Sequence, residues 1–466
     1  MEHLSTLDAG FLEAEDSDPH VSLAIGALAV LQGPLDYDAL MPVLAERIGA
    51  MPRFTQMLRT WPLDLSAPEW VDDHHFDLSH HIRRAALPRP GDDRELFRVV
   101  ADVMERRLDR HQPLWECWII EGLPDGQWAL LTKIHHCMAD GIAATHLLGQ
   151  LCDDPADTWA TNIRAARQCA RGLRFPKLTV NPLYWINEAW HTSVAATRAA
   201  TQAVHGAVGL AGGLLRPAQA SSLTGPVTSM RRYATAQVPL DDVTAVCDAF
   251  DVTLNDVALA AITDGFRTVL MGRGERPTPN SLRTLVPVSM RSNDAAHKTD
   301  NRVSVMLPYL PVEEPDPVER LRLVHRRLTK AKGSGQRQAG NVFVSAANAL
   351  PFALTAWTVR MLTRLPQRGV VTLATNVPGP RQRLRIMGRD VVRLMPIPPI
   401  ALQLRTGVAI LSYADQLTFG IIADYDATPD VDDLARGIER AVSRLLAASR
   451  VSRRCTDGSI LSVVPL

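Results

Sequence analysis

The chain has 466 residues, too many for one ordinary hydrophobic core and enough for two domains. Its 46% hydrophobic and 21% charged residues suit a soluble globular enzyme, and 50 basic against 50 acidic side chains leave no net charge to draw it to nucleic acid. Six cysteines, at positions 117, 137, 152, 169, 247 and 455, make no CxxC pair, which argues against a disulfide framework or a structural zinc and fits a reducing cytoplasm.

The opening MEHLSTLDAGFLEAEDSD is acidic and lacks the apolar core of a signal peptide. Within it Leu4, Leu7 and Phe11 fall at helical spacing, with Ser5 placed to cap the first turn. Val21 to Leu31 reads as a strand stopped by Gly33-Pro34, and Asp38 to Ile48 as an amphipathic helix. The segment WVDDHHFDLSHHIRR, 70–84, holds four histidines among aspartates. Adjacent histidines rarely gather their rings around one ion and no HExxH spacing is present, so the segment is read as a half-exposed polar turn. Glu95 to Asp109 reads as a helix and Cys117 to Glu121 as a strand. The turn Pro124-Asp125-Gly126 then delivers the apolar strand Trp128 to Ile134.

That strand runs into His135-His136-Cys137-Met138-Ala139-Asp140-Gly141, followed by small and aliphatic residues suited to a helix up to Leu148. Two imidazoles, a carboxylate and a glycine at a strand end are the materials of a reaction site, and Gly141 permits a turn that other residues resist. Residues 152–232 are Ala-rich and read as a helical connector, in which an amphipathic stretch, Trp185 to Val208, packs on protein or touches lipid. From Tyr233 strands and helices alternate again. Strands are expected at 233–238, 282–288, 303–307, 370–375, 406–413 and 417–423, and helices at 240–250, 257–271, 317–332 and 431–447. The most apolar run, Asn341 to Leu365, is broken by Asn348, Pro351 and Arg360 and is not expected to span a membrane.

The HHxxxDG pattern at 135–141 resembles the acyltransferase superfamily of chloramphenicol acetyltransferase and the condensation domains of peptide synthetases. Together with LSTLDAGFL (4–12), PLWECWIIEGL (113–123), NDVALA (255–260), PVSMR (287–291) and NVPGP (376–380), it resembles more closely the bacterial wax ester synthase/acyl-CoA:diacylglycerol acyltransferase family, and within it the actinobacterial triacylglycerol synthases. The DFGWG block of the plant acyltransferases is missing. The resemblance implies a mixed α/β fold of two chloramphenicol-acetyltransferase-like domains around a central tunnel, divided as 1–151, a connector 152–232, and 233–466. It implies long-chain acyl transfer from acyl-CoA to diacylglycerol, or to a long-chain alcohol. A carrier-protein-dependent condensation activity is the more distant alternative, and a non-enzymatic lipid-binding protein on the same fold the remaining one.

An alcohol attacking a thioester must lose its proton as it attacks, and a neutral imidazole can take it. This role matches His136, with His135 orienting or packing beside the site and Asp140 holding the loop through an arginine, either Arg291 or Arg53. Asn255, where a helix begins, either donates to the oxyanion or caps the helix, while Asp256 is structural. Pro113, Leu114 and Trp115 are expected to line a substrate pocket, and residues 376–380 a channel wall. Cys137 beside the histidines offers an acyl-enzyme route, but a neighbouring ring seldom reaches back to activate it. No metal or prosthetic group is called for, since CoA arrives with the donor. A cytoplasmic protein attached peripherally to the inner membrane face or to lipid droplets is expected, through apolar surface within 183–215 or 341–365.

Overall fold

A computed structural model describes residues 2–61, 66–139, 148–153, 221–289, 303–333, 369–401 and 404–457. The first half contains β1 (Glu2–His3), α1 (Thr6–Ser17), β2 (Ala24–Leu31), α2 (Tyr37–Gly49), β3 (Gln56–Arg59), β4 (Glu69–Asp72), β5 (Ile82–Ala86), α3 (Asp93–Glu105), β6 (Trp115–Glu121) and β7 (Trp128–His135). The second contains β8 (Arg231–Pro239), α4 (Leu240–Phe250), α5 (Leu254–Gly272), β9 (Thr284–Ser289), β10 (Val303–Met306), α6 (Pro317–Gly333), β11 (Thr372–Val377), β12 (Arg385–Ile386), β13 (Arg389–Ile397), β14 (Thr406–Tyr413), β15 (Gln416–Asp424) and α7 (Val431–Asp457).

Several helix starts are capped by side chains. Ser5, Asp36 and Asp92 each accept a backbone N–H at the first turn of α1, α2 and α3. At α5, Thr253 and Asp256 cap each other reciprocally. The apolar strands go to sheet centres. All eight residues of β7 are buried, as are seven of the eight in β2, which is what a strand covered on both faces requires.

Among the described residues two six-stranded sheets result, in the orders β12-β13-β2-β7-β6-β5 and β10-β9-β11-β14-β15-β8, beside a small sheet β1-β4-β3. The hairpin β12–β13 comes from the second half of the chain yet completes the first sheet, with β13 antiparallel to β2. Sequence reading placed no strand there, because Pro396 interrupts the run and the pairing shifts register between Val391 and Arg393. Strand β13 also touches β14 and β15 of the second sheet. A side chain at Gly420 of β15 would collide with Pro396 O. Tyr233 of β8 donates its hydroxyl to that carbonyl at 3.0 Å, and Tyr413 of β14 donates to Val391 O at 2.7 Å.

The segment 70–84 departs from a polar turn. Its ends are strands, Trp70 and His81 are buried, and His74, His75 and His80 are exposed. Among the described residues no helix is long and apolar enough to cross a membrane. The stretches 183–215 and 341–365, and nearly all of the connector, lie outside the described residues.

Candidate active site

The turn after β7 is tied on both sides. His135 donates its backbone N–H to Leu114 O at 2.9 Å, and His136 donates to Leu23 O at 3.0 Å. The chains leading into β6 and β2 therefore both grip the turn, the first through the Leu114 carbonyl and the second through that of Leu23. Pro113 and Leu114 are buried. Trp115 is buried too, donating its indole N–H to Phe54 O at 2.8 Å and stacking on His81 at 4.5 Å between ring centres. It borders a small apolar cavity with Ile48, Phe54, Ile134, Leu148 and Leu151.

Helix α1 covers the turn with one face. Phe11 stacks on the His136 ring, centroids 4.3 Å apart and planes 27° from parallel. One helical turn later Glu15 stands beside His135, its Oε2 3.5 Å from Nε2. That is an electrostatic contact, longer than a good hydrogen bond. Glu15 also accepts the Leu23 N–H at 3.0 Å and an Arg110 N–H at 2.9 Å. Burial alone would raise its pKa, but the His135 ring, the Leu23 N–H and Arg110 outweigh it and hold the carboxyl at about 2. His136 is half-buried, and desolvation first, then the neighbouring His135, pushes its pKa down to about 4. The ring is thus neutral at pH 7. Cys137 is buried, and desolvation followed by the charges of Asp8 and Glu15 drives its pKa well above the usual thiol value.

Residues 4–258 match the family model described as the wax ester synthase/diacylglycerol acyltransferase catalytic domain, and residues 299–445 match the WS/DGAT C-terminal domain. The chain belongs to the WS/DGAT family. A protein named probable diacylglycerol O-acyltransferase, from Mycobacterium tuberculosis, is 59% identical over 467 residues, spanning 100% of both chains. Another from that species, named putative diacylglycerol O-acyltransferase, is 49% identical over 451 residues, covering 96% of this chain and 92% of its own. Among solved structures, the wax ester synthase/diacylglycerol acyltransferase of Marinobacter aquaeolei VT8 aligns with a TM-score of 0.67 at 25% identity, over 96% of this chain and 100% of that one. The starter condensation domain of rhizomide synthetase aligns at 0.60 and 14% identity, over 96% and 94%, and shares the fold.

The WS/DGAT catalytic-domain match runs through β8 and α4 to the start of α5, so it takes in Asn255. Asn255 is the second residue of α5 and half-buried. It is not the cap, which is Thr253, and Asp256 is occupied by the capping box and by His325 at 2.9 Å. Arg53 lies with its guanidinium 4.2 Å over the Trp70 ring. Asp140, Gly141 and Arg291 lie outside the described residues.

The sequence reading gave no role at the site to Phe11, Glu15, Arg110 or Lys133. Lys133 is fully buried two residues before the histidine pair and donates to Val103 O at 2.7 Å and to Arg106 O, closing the end of α3. Burial lowers its pKa to about 8. The available signal was LDAGFLEAED, which puts acids at 8 and 15 on the same helical face as Phe11.

Proposed function

We propose that this WS/DGAT enzyme transfers a long-chain acyl group from acyl-CoA to the free hydroxyl of diacylglycerol, forming triacylglycerol and CoA. The observation that carries the proposal is the His136 ring, half-buried at the end of β7, clasped by Phe11 and neutral at pH 7. The acceptor hydroxyl attacks the thioester carbon while its proton passes to the imidazole. The tetrahedral oxyanion collapses, the carbon–sulfur bond breaks, and the imidazolium returns the proton to the CoA thiolate. A base uncharged before the step suits it, because the negative charge forming beside the ring favours the imidazolium only as the reaction proceeds. The protonated Cys137 thiol supports direct transfer over an acyl-enzyme. The reading invokes no metal or prosthetic group. Asp140 braces the loop, Gly141 permits its turn and Asn255 is the candidate oxyanion donor.

Diacylglycerol is favoured as acceptor by the names of the full-length relatives. A fatty alcohol, giving a wax ester, presents the same hydroxyl to the same base. Both acceptors sit in lipid, so the enzyme works at a membrane or droplet surface. The test measures thiol release from palmitoyl-CoA and separates the lipid products, offering diacylglycerol and hexadecanol side by side to wild type and His136→Ala. Triacylglycerol from wild type and almost none from the variant is the expected result. A dominant wax ester product replaces the acceptor. Thiol release without ester, or equal inertness of both proteins, overturns the acyltransferase reading in favour of carrier-dependent or binding roles.

A further inference from the structure

His135 fixes the turn through its side chain. The backbone N–H of Cys137 donates to His135 Nδ1 at 3.2 Å. That bond closes a small ring around a single residue, and the enclosed residue is His136. A nitrogen that accepts carries a lone pair, so a His135 ring with a single proton carries it on Nε2. His135 is 1% exposed, and its Nε2 makes no hydrogen bond among the described residues. It points instead at Glu15 Oε2, 3.5 Å away.

Glu15 is held in place from three sides. Leu23 N–H and Arg110 grip its carboxylate, and Arg107 donates to its backbone carbonyl. Leu23 also accepts the N–H of His136, so one carboxylate reaches the turn by two routes, through the His135 ring and through the strand. Arg110 takes part of the carboxylate's charge, and Asp16 binds the other face of Arg110 at 2.8 Å. The acid thereby divides its two oxygens among the strand N–H, the arginine and the imidazole.

We propose that Glu15 is a positioning residue of the acyl transfer: by holding His135 as its Nε2–H tautomer, it closes the turn around His136 and sets the direction of the catalytic ring. The role rests on the reading of His136 as the base. Glu15→Gln is the informative change. A glutamine that keeps its oxygen on the Leu23 N–H turns its amide N–H₂ towards His135, a donor facing a donor. This favours the Nδ1–H tautomer, which can no longer accept from Cys137.

The experiment is nitrogen–proton correlation spectroscopy of histidine-labelled full-length protein, with the His135 signal assigned by its loss in His135→Gln, together with steady-state kinetics. Wild type is expected to show His135 as Nε2–H. Glu15→Gln is expected to move it to Nδ1–H or a mixture, with kcat lowered roughly 10- to 100-fold, the scale of a misplaced catalytic group. KM is expected to change little, and Glu15→Asp to recover part of kcat. A wild-type spectrum of Nδ1–H or of the imidazolium overturns the proposal, and it needs no variant to fold. So does Glu15→Gln with an unchanged tautomer, whether kcat is kept or lost. If His136→Ala keeps full activity, the base assignment fails, while the His135 spectrum still decides whether Glu15 holds the turn.

Discussion

Glu15 in the first half and Asp264 in the second are both nearly inaccessible, and both are paired with arginine. Asp264 on α5 meets Arg320 of α6 at 2.6 Å, and Arg320 is itself 2% exposed. That guanidinium also takes Glu314 O and Pro315 O, closing the approach to α6. All of these partners are fixed parts of the scaffold. Glu15 shares its carboxylate between an arginine, a strand N–H and an imidazole that touches the turn of the catalytic ring. A buried ion pair is therefore no sign of a functional site by itself. What distinguishes the two is whether one of the partners can change its proton.

Variants on either side of this comparison separate stability from rate. The largest effect belongs to the ring itself: His136→Ala is expected to lower the rate roughly 10²–10⁴-fold, measured by ester formation, with the fold intact. Asp264→Asn should do the reverse. Breaking one partner of a buried pair costs about 3–5 kcal/mol of stability, read by denaturant unfolding, while the folded fraction keeps its turnover. A loss of kcat in folded Asp264→Asn would erase the distinction between the two carboxylates.

Acid sharpens the contrast. Glu15 ionises near 2 in the fold against an ordinary 4.5, so its contribution is complete above 4.5 and is lost as the pH falls towards 2. The contribution is on the order of 3 kcal/mol and should be missing from the pH–stability curve of Glu15→Gln. His136 is depressed from 6.5 to about 4, so kcat/KM should hold through pH 6 and decline only as the ring protonates near 4. An acidic limb near 6.5 would mean that the ring is not desolvated. The smallest effect is Phe11→Ala, which removes the stack on His136. A stacked pair is worth about 0.5–1.5 kcal/mol, a rate loss of about 2- to 10-fold that spares the His135 tautomer.

The alternation of strands and helices was legible because several helix starts have side-chain caps and the central strands are continuously apolar. Trp128 to His135 lies where its apolar run places it, and Leu240 to Phe250 where periodicity and the acids Asp241 and Asp242 of its first turn place it, with no side-chain cap. The His135–His136 turn was legible from residue type alone. Its supports were not. Phe11 and Glu15 look like ordinary members of an acidic helix, and their meaning depends on a contact more than a hundred residues away in sequence. His81 looked like part of a polar turn because three neighbouring histidines are exposed, while its own ring is packed between Phe76 and Trp115. The hairpin β12–β13 was hidden for a related reason: pairing with β2 is set by tertiary proximity, and Pro396 masks the strand pattern.

That hairpin also sets a schedule for synthesis. Strands β2 and β7 are complete once residue 135 has been made, but β13, which covers the open edge of β2, ends at Ile397. Roughly 260 residues must still be translated, which at about 5–20 residues per second leaves that edge bare for roughly 13–50 s. The edge is Ala24–Leu31, with apolar side chains and unpaired backbone groups, a template for pairing with other chains. Each newly made molecule therefore passes through a period when its first sheet invites association, and the ribosome's pace and the chaperones near it decide how much of the enzyme reaches its finished form.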